Sequence, residues 1–473
     1  MNLNQLTIKQ AKQGLKEKKF SSVELTKSCL KRIKKYDATI NAFITVTEEE
    51  ALESAEKADV LIKNNEDLPL LGIPIALKDL YSTKGIKTTA GSKVLENYIS
   101  QYDATVVSKL KIAGAVIVGK TNLDAWAHGS SGENSDFGPT KNPWDTEYIP
   151  GGSSSGSAAA LAGDMCMAST GTDTGGSIRL PASFCNVVGL KPTYGRVSRY
   201  GIVAMASSLD SIGHFTKTVE DSELLLNVTS GKDPLDATTL EERYLAKPLS
   251  KIKIGADPDF FSKTIDSEVS KLLTQAYNTI REKLNLGIIS DIKLPHQEYG
   301  IACYYIIQTA EVSSNLARYD GVRYGSPREN FGAEAKRRIM LGTYTLSSGY
   351  YEAYYKKAMQ VRTLIKQDFE KAFDPSIGGV DAIIAPVSPT PPWKLGEKVN
   401  NPLTMYLSDK FTVTANLAGI PGLSIPIGFT PKGLPVGLQI LGPHYSEELL
   451  FKIGYAYEQA TKDEQWRKLK PKL

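Results

Sequence analysis

The chain has 473 residues, of which 56 are Lys or Arg and 52 are Asp or Glu, a formal charge of +4. With 41% hydrophobic and 23% charged residues it has the composition of an ordinary globular protein, not of a disordered or collagen-like chain, and its near-balanced charge excludes the dense basic surface of a dedicated nucleic-acid domain. At about 150 residues per domain the length suggests three domains, although a large α/β enzyme can exceed that figure as one unit.

Residues 1–13 carry no apolar stretch of the kind that directs secretion, and no run approaches the roughly 18 apolar residues of a membrane span, so a cytoplasmic location is expected. The first sixty residues read as helices, with Ser21 and Glu24 forming a capping box ahead of an amphipathic run through Leu25, Cys29, Leu30 and Ile33. Short apolar strands then alternate with helices. Strands are expected at 71–77, 115–118, 252–254, 382–385 and 423–427, and helices at 104–113, 219–228, 350–373 and 446–460. The alternation predicts an α/β fold. The polar stretch 230–250 is the best boundary candidate, but strands resume on both sides of it. In the helix at 350–373, Tyr350, Tyr351, Tyr354 and Tyr355 stand beside Lys356 and Lys357, and the i, i+3, i+4 spacing favours packing against a core over base stacking.

Four cysteines, Cys29, Cys166, Cys185 and Cys303, lie far apart without a C-x-x-C pair, which argues against a zinc knuckle and a disulfide framework. The four histidines, His128, His214, His296 and His444, show no metal-ligand spacing, and none stands beside an obvious nucleophile, so a metal site or a Ser-His-Asp hydrolase has little support. Residues 114–121, Gly-Ala-Val-Ile-Val-Gly-Lys-Thr, fit the letters of a phosphate-binding loop. Such a loop needs its strand ahead of the first glycine, so that the next residues can curl with their N–H groups inward. Here Ala115 to Val118 are themselves the strand, and extended they span roughly 13 Å at about 3.3 Å per residue. Nucleotide chemistry on this chain is therefore not expected.

Two glycine-serine segments carry more information, Pro-Gly-Gly-Ser-Ser-Ser-Gly-Ser at 150–157 and Gly-Thr-Asp-Thr-Gly-Gly-Ser-Ile-Arg-Leu-Pro at 171–181. One alone would read as a flexible linker, but two within one apolar region would be odd. Glycines let backbone N–H groups converge on one point, and a serine after them can present its hydroxyl to an acyl carbon while those groups hold the oxyanion. The serine needs a base. Lys78, at the end of the apolar run 71–77, can serve if burial lowers its pKa; the plain alternative is a solvated strand terminus.

These three pieces at their spacing resemble the amidase signature family of Ser-Ser-Lys hydrolases. The resemblance implies one large domain over 1–473, with a mixed central sheet covered by helices on both faces, a helical N-terminal layer at 1–65, a catalytic region at 66–230 and the rest of the sheet and substrate pocket at 251–473. It implies Ser177 as nucleophile, Lys78 as general base and acid, and Ser153 as the relay, held by a cis peptide bond. The oxyanion hole would be the N–H groups of Thr174, Gly175, Gly176 and Ser177. The stretches 191–201, 314–324, 336–344 and 402–409 narrow the likeness to the A subunits of glutamyl-tRNA(Gln) amidotransferases within that family. That branch implies a heterotrimer in which glutamine is hydrolysed here and ammonia passes to a B subunit that activates glutamyl-tRNA(Gln) with ATP and Mg, with a small C subunit clamping the two. It implies no cofactor on this chain, no membrane contact, and charged tRNA met mainly through the partner.

Glutamine asks for a bidentate arginine at its α-carboxylate and a carboxylate at its α-ammonium. By the resemblance these are Arg338 and Asp409; the plain alternatives are a solvated helix face and a cap. Arg179 reads as a structural ion-pair partner of the nucleophile loop. The competing function is a stand-alone amide hydrolase of the same family. Three departures from the family pattern stand out: Ser155 where a glycine is usual, Ala125, Trp126 and His128 in a reshaped pocket wall, and a connection at 324–335 shorter by three or four helical turns' worth of residues.

Overall fold

Apolar runs in which every residue is buried build the centre of this protein. The computed structural model describes residues 2–240, 248–261, 265–284, 286–322, 326–471 and 473. Its strands are β1 (Phe43–Val46), β2 (Pro74–Lys78), β3 (Val116–Thr121), β4 (Ala168–Asp173), β5 (Val188–Lys191), β6 (Ser211–Thr216), β7 (Lys253–Ala256), β8 (Gly287–Asp291), β9 (Ala382–Pro386), β10 (Gly422–Phe429) and β11 (Pro435–Leu441). They form one 11-stranded sheet in the order β1-β3-β2-β4-β6-β5-β10-β11-β9-β7-β8. The neighbours β3–β2, β2–β4, β9–β7 and β7–β8 are parallel and the other pairs antiparallel, so the sheet is mixed.

Every residue of β2, β3, β4, β5, β6, β9 and β11 is buried. Because successive side chains point to opposite faces, full burial means that both faces are covered, as the α/β reading expects. All five expected strands and all four expected helices are present, with ends shifted by a few residues. The expected strand at 71–77 runs instead from Pro74 to Lys78, so Lys78 is its last residue.

The N-terminal layer contains helices Ile8–Lys16, Ser22–Ile40 and Glu48–Lys63, and the Ser21–Glu24 capping box closes the second of them. The layer is not wholly helical, because β1 lies inside it and pairs with β3 at the sheet edge. The described part of the polar stretch at 230–250 is fastened to the body: Asp233 accepts from Ser198 and Thr105, and Asp236 pairs with Arg199. Residues 241–247 lie outside the described part. The tyrosine reading is corrected. Tyr350, Tyr351 and Tyr354 are exposed, and the helix opens with a wide π turn, Tyr351–Lys356, before Lys357–Phe373. Its buried stripe, Ala358, Ile365 and Phe369, begins only after the π turn, and Tyr355 ahead of it is half-buried. No helix among the described residues is long and apolar enough to cross a membrane.

The phosphate-loop letters fall as expected. Residues Val116 to Thr121 are strand, and Lys120 sits within it, fully buried, with its Nζ 2.9 Å from Asp79 Oδ1. Its amine also donates to Tyr81 O, Lys87 O and Thr88 Oγ1 at 2.9–3.1 Å, and Asp79 Oδ2 accepts from Thr89 N and Oγ1. Removing one member of such a pair leaves the other buried without its counter-charge. Asp79→Ala should therefore lower unfolding free energy by about 3–5 kcal/mol in a denaturant titration, whereas Glu147→Ala, which breaks the exposed pair with Lys394, should change it by less than about 1 kcal/mol.

Candidate active site

The parallel pairing of β2 with β4 carries the C-terminal ends of both strands to one side of the sheet, with Ala76 beside Ser169. Lys78 ends β2, and Asp173 ends β4 and leads into residues 174–177. The backbone N–H of Lys78 donates to Thr170 Oγ1 at 2.9 Å, which fixes the register at the strand end. The third contributor is the chain ahead of helix Ser155–Ala162, where the Gly152–Ser153 peptide bond is cis.

Lys78 has no solvent exposure. Its Nζ lies 2.9 Å from Ser153 Oγ, 2.9 Å from Ser154 Oγ and 2.8 Å from Thr172 Oγ1. Burial pushes its pKa down to about 7, against the opposing pull of Asp124, Asp173 and Asp210. A neutral amine has two N–H donors and one lone pair, so one of the three hydroxyls must donate to it. Ser154 Oγ donates to Thr172 O at 3.2 Å and therefore receives from the amine. That leaves the hydroxyls of Ser153 and Thr172 as the two able to donate to the nitrogen. Sequence reasoning missed Ser154 and Thr172 as amine ligands; the signal available was the serine run itself and the hydroxyls alternating along β4.

Ser177 retains 8% exposure where Ser153 and Ser154 have none, so it is the one of the three serines that reaches the surface. Its carbonyl accepts from Ser154 N at 3.3 Å, joining the two glycine-serine segments. Asp173 shapes the loop: its carboxylate accepts from the N–H groups of Gly176, Ile178 and Arg179 and from the Arg179 guanidinium at 2.8–3.3 Å. Burial alone would raise the Asp173 pKa, but Arg179 overrides it and holds the group at about 2. Arg179 is wholly buried and also donates to Thr412 O, Asn416 Oδ1 and Gln439 Oε1, which makes it the structural partner expected from the sequence. Among the described residues the N–H groups of Thr174, Gly175 and Ser177 have no hydrogen-bond partner, whereas that of Gly176 is taken by Asp173.

A cavity of about 120 Å³ is lined by Ser130, Tyr305, Glu334, Arg338 and Tyr406. Arg338 is buried, unlike Arg337 beside it, so it is no solvated helix face. Its Nε donates to Glu334 at 2.8 Å, and its guanidinium lies 5.4 Å from the Tyr305 ring and 5.9 Å from that of Tyr406. Asp409 is also buried and accepts from Ser130 Oγ at 2.6 Å; burial raises its pKa to about 7. Thr412 Oγ1 donates to both Asp409 O and Gly175 O, tying Asp409 to the loop that carries Ser177. Ser155, one of the departures, fits because Gly132 presses against it, where a Cβ would lie 2.5 Å from Ser155 Cβ. Trp126 packs between Tyr319 and Phe331 at 4.8 and 5.3 Å. Of the shortened connection at 324–335, residues 324 and 325 lie outside the described part, and Ser326 is bonded to Val94 O.

The sequence model of the Amidase family matches residues 24–451. The chain belongs to the amidase family. It is 53% identical to the A subunit of glutamyl-tRNA(Gln) amidotransferase from Geobacter metallireducens over 98% of each chain. The crystal structure of the A subunit of glutamyl-tRNA(Gln) amidotransferase from Thermotoga maritima superposes with a TM-score of 0.81 at 43% identity, covering 97% of this chain and 95% of that one. The peptide amidase of Stenotrophomonas maltophilia, 29% identical over 98% of each chain, gives 0.83.

In this amidase the approach of Tyr304 leaves no room for a side chain at residue 175, since a Cβ there would lie 2.6 Å from the ring. Gly175→Ala should displace the loop with its free N–H and lower amide hydrolysis by about 100-fold or more, with far-ultraviolet circular dichroism unchanged.

Proposed function

We propose that this chain is the glutaminase component of a tRNA-dependent amidotransferase and hydrolyses glutamine to glutamate and ammonia. What carries the reading is a buried Lys78–Ser153 pair on a serine segment bonded to the Ser177 loop, that loop being tied through Thr412 to buried Asp409, with a buried Arg338 guanidinium in the adjoining cavity; the two charges suit the two ends of a free amino acid. Arg338 takes the α-carboxylate and Asp409 the α-ammonium, leaving the carboxamide to reach Ser177.

Ser177 Oγ attacks the carboxamide carbon as its proton passes to Ser153, whose own proton goes to the neutral Lys78 amine. The developing oxyanion lies against the free N–H groups of Thr174, Gly175 and Ser177. Collapse breaks the C–N bond; the departing nitrogen takes the proton back from Lys78 through Ser153 and leaves as ammonia. Water, deprotonated by the same route, then cleaves the glutamyl ester and frees Ser177 and glutamate. That the relatives are named as A subunits supports a multi-subunit assembly. In it the B subunit, holding ATP and Mg, uses the ammonia to convert glutamyl-tRNA(Gln) to glutaminyl-tRNA(Gln) in the cytoplasm, and a small C subunit joins the two. Consistent with ATP lying on the partner, residues 116–121 here are a buried strand whose lysine is bound to Asp79.

Ammonia release from glutamine, measured with and without the partner subunits, tests the reading, and Ser177→Ala should abolish it. Turnover of aryl amides with none of glutamine would assign a stand-alone amide hydrolase instead. The pH profile follows from two groups. Burial depresses Lys78 and raises Asp409, each to about 7, so the active forms, neutral amine and ionised carboxylate, both prevail above that pH. Below it log kcat/KM for glutamine should fall with a slope approaching about 2, and Asp409→Asn should reduce the slope to about 1 on a lowered plateau.

A further inference from the structure

We infer that His128 is a specificity-determining residue of this site, its imidazole donating a hydrogen bond to the α-carboxylate of the bound amino acid beside Arg338; this rests on the glutamine reading above. His128 is 1% exposed, and neither Nδ1 nor Nε2 meets a hydrogen-bond partner among the described residues. An imidazole in any tautomer carries at least one N–H, and a buried donor without an acceptor is costly. Such a donor is tolerated where a ligand supplies the acceptor.

The surroundings say which ligand. The next two residues, Gly129 and Ser130, line the cavity of Arg338, and Asn134, another lining residue, donates to the His128 carbonyl at 2.9 Å. Ser130 also holds Asp409, so His128 lies two residues from the side chain that fixes the group proposed to take the ammonium. Trp126 and Ala127 both have left-handed backbone, φ 59° and 64°, and Trp126 is wedged between two rings, so the turn that presents His128 is held firmly. Burial first, and the Arg338 charge second, keep the ring uncharged. A neutral N–H donor near a guanidinium adds a directed bond to an anion without adding a second positive charge, a match to a carboxylate that the arginine already attracts.

The test compares the parent chain, His128→Met and His128→Gln, each assembled with the proposed partner subunits, by ammonia release from L-glutamine. Loss of the donor in His128→Met should raise KM about tenfold with kcat within about twofold, and His128→Gln, which keeps an N–H, should recover most of the affinity. An unchanged KM in His128→Met would overturn the inference and leave the glutamine reading standing. So would an equal rise in both variants accompanied by a lowered melting temperature, because that pattern marks packing. No glutamine turnover by the parent would overturn both.

Discussion

Lys78 is held without solvent exposure, its amine meeting three hydroxyls at 2.8–2.9 Å and no carboxylate in contact among the described residues. Desolvation disfavours the ammonium, and hydroxyls can solvate either form, so the amine is left poised near neutrality. Lys120, one strand away and equally buried, shows the other outcome. Burial lowers its pKa too, but its amine lies 2.9 Å from Asp79, whose charge and hydrogen bond oppose that shift and bind it as an ion-pair partner. Two lysines on neighbouring strands of one sheet thus differ in role through the group each one touches.

The second requirement is that the loop carrying Ser177 stay open and rigid. Asp173 gathers three backbone N–H groups and the Arg179 side chain, and Arg179 in turn reaches Thr412, Asn416 and Gln439. Gln439 belongs to β11, far along the sheet from β4, and also donates to Pro386 O and Phe411 O. One buried ion pair therefore locks the Ser177 loop to the C-terminal part of the sheet. Thr412 extends the link to Asp409, which Ser130 of the Arg338 cavity also bonds, so the loop and that cavity are set by a single network.

Much of this was legible in the residues. Lys78 at the end of an apolar run, the two glycine-serine segments and the role of Arg179 could be read because motif spacing and strand ends are local properties. Strand β4 could not, since Ala-Ser-Thr-Gly-Thr-Asp has no apolar run and becomes a strand only because its neighbours β2 and β6 pair with it on both sides. The tyrosines at 350–355 misled for a related reason: their spacing suits a buried face, but they fall in a π turn at the start of the helix, and burial along it begins only at Ala358.

Residue order alone determined the α/β class, the places of the five expected strands and the segments that carry Lys78, Ser153 and Ser177, because each depends on periodicity or on groups close together in the chain. Tertiary structure decided which hydroxyls surround the Lys78 amine, which loop N–H groups stay free, and that Arg338 is buried while Arg337 is not. Those outcomes turn on desolvation and on hydrogen-bond competition between segments up to about 280 residues apart, as between Ser130 and Asp409, and neither is a property of any short stretch of sequence.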